Sequence, residues 1–230
     1  MEIELKNIWY SYDSYTYVLK DVNLVLREPG LYVVVGPNGS GKTTLLKILS
    51  LIIKPSKGSV LVNGRDFWVL GDDEKSLIRK SIVYVHDKPV LLRGSVRYNV
   101  ELGLRLRGEK RGDEVLEYIS RYGLREVLDK PVNKLSAGQA KAMTIVRALI
   151  LKPKILALDE PFTFLDNTKV KLLIEDIQRI VRDGGIVVIA THYMYRDLED
   201  ISKNVIEVVN GEVATLSSVK KEPNSITIST

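Results

Sequence analysis

Leu135-Ser136-Ala137-Gly138-Gln139 lies between a glycine-rich loop, Gly36-Pro37-Asn38-Gly39-Ser40-Gly41-Lys42-Thr43, and an apolar stretch ending in acids, Ile155-Leu156-Ala157-Leu158-Asp159-Glu160. The order of these three segments decides how the chain is read. The loop has glycines where backbone N–H groups must curl around phosphates, and a helix after Lys42 adds its positive dipole end. Lys42 is then placed to reach the outer phosphates and the Thr43 hydroxyl to bind Mg²⁺. The acidic stretch delivers two carboxylates to the C-terminal edge of a strand, where open α/β sheets bind ligands. Asp159 is placed to hold Mg²⁺ through its water shell, and Glu160 to orient an attacking water. Between them, LSAGQ reads as a second helix N-terminus. Ser136 is a natural cap there, and Gly138 allows a ligand close to the backbone.

The flanking patterns agree on an α/β fold. Segments 2–8 and 18–26 alternate like antiparallel strands, whereas 31–35 is continuously apolar, as a strand buried on both faces is. Helical spacing covers 43–53, and 60–62 reads as a strand that ends in the turn Asn63-Gly64. Another short strand is expected at 81–85. From 95 to about 128 the pattern is helical throughout, and 136–150 continues it. Apolar strands return at 154–158 and 185–190, separated by an amphipathic helix over 168–182. The expected domain is single. Its core is about 1–90 and 152–215, a helical subdomain is inserted at about 91–151, and a tail runs over about 216–230.

Bulk composition narrows the classes further. The 230 residues carry a net charge of +5, with 45% hydrophobic and 27% charged residues, ordinary for a globular domain. There is no cysteine, which removes disulfides and thiolate metal sites. No apolar run approaches the roughly 18 residues of a spanning helix, and the first residues do not resemble a secretion signal. A soluble, cytoplasmic chain is expected. Basic residues are interleaved with acids, and Lys54-Pro55-Ser56-Lys57 and Lys110-Arg111 are short solvated clusters, so no nucleic-acid partner is expected.

LSAGQ, in its place between loop and acidic strand, resembles the Leu-Ser-Gly-Gly-Gln signature of the ATP-binding cassette (ABC) family. The resemblance runs from about Tyr12 to His192. It implies a P-loop NTPase core with a mixed or parallel sheet, an N-terminal antiparallel β subdomain and an inserted helical signature subdomain. It also implies ATP and Mg²⁺ as cofactors. The phosphate loop from Gly36 to Thr43, with Thr44, would hold the nucleotide, and an N-terminal tyrosine would stack on adenine, Tyr12 in preference to the alternatives Tyr10, Tyr15 and Tyr17. Ser136, Gly138 and Gln139 would complete the site of a partner cassette in a head-to-tail dimer that sandwiches two ATPs. Asp166 would lie at that interface, and His192 would bridge the γ-phosphate and Glu160.

Three positions depart from the family pattern. Ala137 and Phe164 replace a usual glycine and a usual small residue, and Asp87 stands where a glutamine is usual. The aspartate either ligates Mg²⁺ itself or leaves that role to water. The family reading is the ATPase subunit of a transporter, peripheral on the inner face of the cell membrane. Separate membrane-spanning permease subunits would dock near residues 87–106. Asn99-Val100-Glu101-Leu102-Gly103-Leu104-Arg105 resembles the importer branch. The competing reading is a soluble cassette ATPase of translation or DNA repair. Translation-type members usually carry two cassettes in one chain, and repair-type members carry long coiled coils between loop and signature, for which the gap from Lys42 to Leu135 is too short.

Overall fold

The runs without polar breaks form the middle of a six-stranded sheet. β3 (Gly30–Val35), β7 (Ile155–Asp159) and β8 (Ile186–Thr191) are buried over nearly their whole length, as strands covered on both faces must be. The computed structural model describes residues 1–192, 198, 201, 202 and 204–217. Strand order is β10-β9-β3-β8-β7-β6, with β6 at Ile82–Val85, β9 at Asn204–Val209 and β10 at Glu212–Ser217. All pairs are parallel except β9 with β10. Register sets up the site: Val35 lies beside Thr191, Asp159 beside Ala190, and Val85 beside Leu158. The chain leaving β3, β6, β7 and β8 therefore emerges along one edge, carrying the phosphate loop, Asp87, Glu160 and His192.

Alternation along β3 divides the interior in two. Leu31 and Val33 join α3 (Val96–Arg107), α4 (Gly112–Arg121), α5 (Ala137–Leu149) and α6 (Asn167–Arg182) in one core. Tyr32 and Val34 face the other core, with α1 (Lys42–Leu49) and an antiparallel sheet. That sheet has the order β2-β1-β4-β5, from β1 (Ile3–Ser11), β2 (Tyr17–Leu26), β4 (Lys57–Val62) and β5 (Arg65–Asp66). The expected α/β class and the antiparallel N-terminal sheet are both present.

Three local features differ from the expectation. α1 stops at Leu49, because Leu51 turns left-handed (φ 59°) and the Ile52 N–H closes back on the Lys47 carbonyl. A helix α2 at Asp72–Lys80 is additional to the expected elements. It buries no residue, so no apolar stripe marks it; acids in its first turn and bases in its last are its sequence signal. The β9–β10 hairpin, turned by Asn210-Gly211 with both φ positive, is additional as well. Leu216 and Ser217 belong to β10 rather than to a tail, and residues 218–230 of the expected tail lie outside the described residues.

One buried charge ties α4 to α6. The Asp176 carboxylate, 1% exposed, accepts from Arg121 Nη1 at 2.9 Å, the Tyr122 hydroxyl at 2.8 Å and Arg179 Nη2 at 2.5 Å. Asp176→Ala would leave the Tyr122 hydroxyl without its acceptor and take the carboxylate from two guanidinium groups, of which Arg179 keeps the Tyr118 hydroxyl at 2.7 Å and Arg121 keeps Glu175 at 3.6 Å. Because the arginines are partly solvated, the expected loss is at the low end for breaking a buried pair, about 3 kcal/mol. Urea unfolding of the two proteins measures it. A difference within about 0.5 kcal/mol, typical of surface changes, would show that the network contributes little.

Candidate functional site

The phosphate loop depends on backbone that only glycine provides. Gly36 has φ +153°, and a Cβ there would sit 2.1 Å from the Val208 carbonyl oxygen. The loop opens onto a cleft of about 270 Å³ lined by Val18, Asn38, Gly39, Gly41, Lys42, Thr43, Thr44, Asp87, Asp159 and Glu160. Lys42 Nζ donates to the carbonyls of Gly36 (2.8 Å) and Pro37 (3.0 Å). Burial lowers its pKa, and the carboxylates of Glu160 and Asp159 work against that shift. Ser40 Oγ is buried and has no hydrogen-bond partner among the described residues.

Across the cleft, residues 116 positions apart meet: Thr43 Oγ1 donates to Asp159 Oδ2 at 2.7 Å. The Tyr84 hydroxyl, from β6, donates to the same oxygen at 3.1 Å. Asp159 is 1% exposed, and burial raises its pKa more than the two hydroxyls lower it. A cation beside Asp159 and a polyanion beside Lys42 would relieve both shifts. Among the described residues no three His, Cys, Asp or Glu converge as a metal site. Mg²⁺ does not require that: one or two carboxylates with substrate phosphates and water suffice. The Thr43–Asp159 pair beside a phosphate loop fits such an ion.

Glu160 follows in a left-handed conformation, φ 42°, with its N–H bonded to the Ala190 carbonyl at 2.9 Å. For a residue with a Cβ that backbone is costly, and such residues gather at functional sites. Its carboxylate Oε1 lies 2.9 Å from His192 Nδ1. Phosphate loop, Thr43–Asp159 and Glu160–His192 thus occupy one sheet edge.

Asp87 lines the cleft, but its carboxylate accepts from the Lys88 N–H at 2.6 Å and pairs with the His86 ring. Tyr12 sets its hydroxyl 3.2 Å from Thr44 Oγ1 and its ring edge-on to Tyr10. It is 60% exposed and does not line the cleft. Ser136, Gly138 and Gln139 do not line this chain's own cleft. Ser136 and Gln139 form a capping box on α5, each side chain bonding the other's backbone N–H. Gly138 packs so closely on the chain before α6 that a Cβ would lie 2.8 Å from the Phe164 carbonyl oxygen. An intramolecular reason for that glycine therefore stands beside the ligand-approach reason. Asp166 caps α6 at the Lys169 N–H and pairs with the Lys169 ammonium, which lowers its pKa.

Sequence reasoning does not find Val18, Tyr84 or the buried Lys141. For Lys141 a signal exists: it sits inside the otherwise apolar run Ala140-Lys141-Ala142-Met143.

A family model described as ABC transporter matches residues 19–163. An ABC transporter ATP-binding protein of Pyrococcus furiosus is 38% identical, over 92% of this chain and 81% of its own. The spermidine/putrescine import ATP-binding protein of Mesoplasma florum is 30% identical, over 97% of this chain and 64% of its own. Among solved structures, a dimeric ATP-binding cassette in a post-hydrolysis state with ADP and Pi bound superposes with TM-score 0.84 at 30% identity. It is aligned over 95% of this chain and all of that one. With these matches and the nucleotide-type cleft on its sheet edge, the chain belongs to the ABC transporter family, as an ATP-hydrolysing, ATP-binding subunit.

Proposed function

We propose that the chain couples ATP binding and hydrolysis, at a head-to-tail dimer interface with a second copy, to solute import through separate membrane-spanning subunits. The observation that carries this reading is the convergence of the phosphate loop, the Thr43–Asp159 pair and the Glu160–His192 pair on one edge of the sheet. In this reading the backbone from Gly36 to Thr43, Lys42 and Thr44 bind the phosphates, and Tyr12 stacks on adenine. Thr43 and Asp159 hold Mg²⁺, joined by Asp87 directly or through water. The ion would neutralise charge on the transferred phosphoryl group. Glu160 orients the attacking water, with His192 holding its carboxylate. Ser136, Gly138, Gln139 and Asp166 serve the partner's nucleotide. The division into a core of about 1–90 and 152–215 and a helical insert of about 91–151 gives the signature its own moving part.

Transport coupling is supported by a groove of about 400 Å³ between β6, α3 and α5, lined among others by His86, Leu92, Leu102, Leu106 and Leu151. Its wall includes the expected docking segment, and Leu106 at its lip is 76% exposed. No helix among the described residues is long and apolar enough to cross a membrane. In this reading the protein sits peripherally on the cytoplasmic face. The importer-like run 99–105 and the import-named relative favour import.

Membrane fractionation of cells tests this reading. The chain is expected in the membrane fraction with a spanning subunit, and Leu106→Glu is expected to shift most of it to the soluble fraction. Recovery on ribosomes or DNA instead would overturn it in favour of a translation or repair ATPase. Export activity of the recovered complex would reverse the direction alone.

A further inference from the structure

Lys141, on α5, is fully buried. Its ammonium lies 2.9 Å from the Asp87 carbonyl, 3.3 Å from the His86 carbonyl and 3.4 Å from the Asp159 carbonyl. Three donors thus meet three acceptors, and the acceptors come from two places, the loop after β6 and the end of β7. Its partners are backbone oxygens rather than a carboxylate, although Asp87, Asp159 and Glu160 are near enough to favour its charge. Burial is the stronger influence and lowers its pKa to about 8.

Stability alone seldom accounts for a buried charge of this kind. Replacing buried ionic groups with apolar residues of similar volume is often neutral or stabilising. Ile145, one turn further along the same helix face, is apolar and fully buried, so a methionine at 141 would keep the packing of the aliphatic stem while leaving the three carbonyls without their donor. What the ammonium supplies is position. It fixes the backbone of Asp87 and of Asp159, whose side chains line the cleft. Arg147, further along the same helix, donates to the Val90 carbonyl at 2.9 Å and holds the next stretch of that loop. Lys141 also lies only five residues from Ser136, the N-cap of α5 that the proposed dimer turns towards the partner's nucleotide.

We propose that Lys141 is a positioning residue through which the signature helix grips its own chain's cleft carboxylates, so that displacement of α5 by the partner's nucleotide reorients Asp159 and Asp87. The proposal rests on the reading of Asp159 and Glu160 as site residues. A shift of about 1 Å at reacting groups can cost on the order of a hundredfold in rate.

Lys141→Met removes the donors and charge; Lys141→Gln keeps two N–H donors on a shorter arm. Lys141→Met is expected to lower kcat about tenfold to a hundredfold while the KM for ATP changes less than about threefold. In the nucleotide-free protein, amide hydrogen exchange over residues 86–90 should quicken about tenfold or more, a range matched to the loss of one or two hydrogen bonds, with α6 unaffected. Lys141→Gln should recover part of both. Wild-type kcat and exchange in Lys141→Met, whatever its melting temperature, would overturn the proposal. So would a rate loss that only tracks the folded fraction, or failure of both variants to fold, which would make the lysine purely structural. Glu160→Gln measured alongside separates the readings: full turnover there would remove the site assignment itself.

Discussion

Glu160→Gln should reduce steady-state ATP hydrolysis by two to three orders of magnitude, within the ~10²–10⁴-fold range of a positioned general base, while nucleotide binding persists. The substitution is nearly isosteric, so the left-handed turn at Glu160 (φ 42°) and the N–H bond to the Ala190 carbonyl are retained. The Gln side chain can still meet His192, which lies 2.9 Å from the native carboxylate. What is lost is the negative charge proposed to orient and activate the attacking water. Lys42 and Thr43, the proposed phosphate and Mg²⁺ groups that also line the cleft, are untouched. ATP should therefore accumulate on the variant. If two copies sandwich the nucleotide, gel filtration with ATP and Mg²⁺ should show a dimer that wild type forms only transiently. Turnover within twofold of wild type would remove Glu160 from the chemistry. Lost turnover together with lost ATP binding would point instead to collapse of the β7 end.

The parts of this site that are legible in the sequence are those whose chemistry is written into local backbone. Gly36 and Gly41 announce the phosphate loop because a side chain at either would collide with the chain packed against it. Ser136 announces a helix start because a side-chain oxygen there can accept from the first free N–H groups; the answering bond from Gln139 appears only in the structure. β7 is legible because an unbroken apolar run that ends in Asp-Glu puts its carboxylates at the ligand-binding edge of a buried strand. What stays hidden depends on tertiary partners. α2 buries nothing, so it has no apolar period to read. Tyr84 looks like any strand aromatic until its hydroxyl is found on Asp159. Lys141 stands out in the sequence only as a charge inside an apolar run, and what holds it is unreadable until its three carbonyl partners are seen. Gly138 shows a subtler gap. In the sequence its missing Cβ signals ligand approach, and the Phe164 carbonyl gives an intramolecular cause as well.

Two variants that are each nearly inactive should restore one another when mixed, because the phosphate loop and the signature of one chain are proposed to serve different nucleotides. Lys42→Ala removes the cation of the loop. Ser136→Arg places bulk at the exposed cap of α5, at a stability cost of about 1 kcal/mol for the lost cap. Neither residue contacts the other's machinery in one chain: Lys42 lines the cleft, and Ser136 does not. In a mixed head-to-tail pair, one site joins the intact loop of one chain to the intact signature of the other. The second site carries both lesions. With equal amounts and random pairing, about half the dimers are mixed and each has one of two sites intact, so about a quarter of the wild-type rate should return if sites fire independently. The measurement is ATPase activity against mixing ratio, which should peak near equal amounts and be absent when either variant is diluted alone. A flat response at the average of the two variants would mean that Ser136 acts within its own chain or not at all. A peak far below a quarter would mean that one intact site cannot turn over while its twin is dead, which would make the pair an obligately cooperative unit.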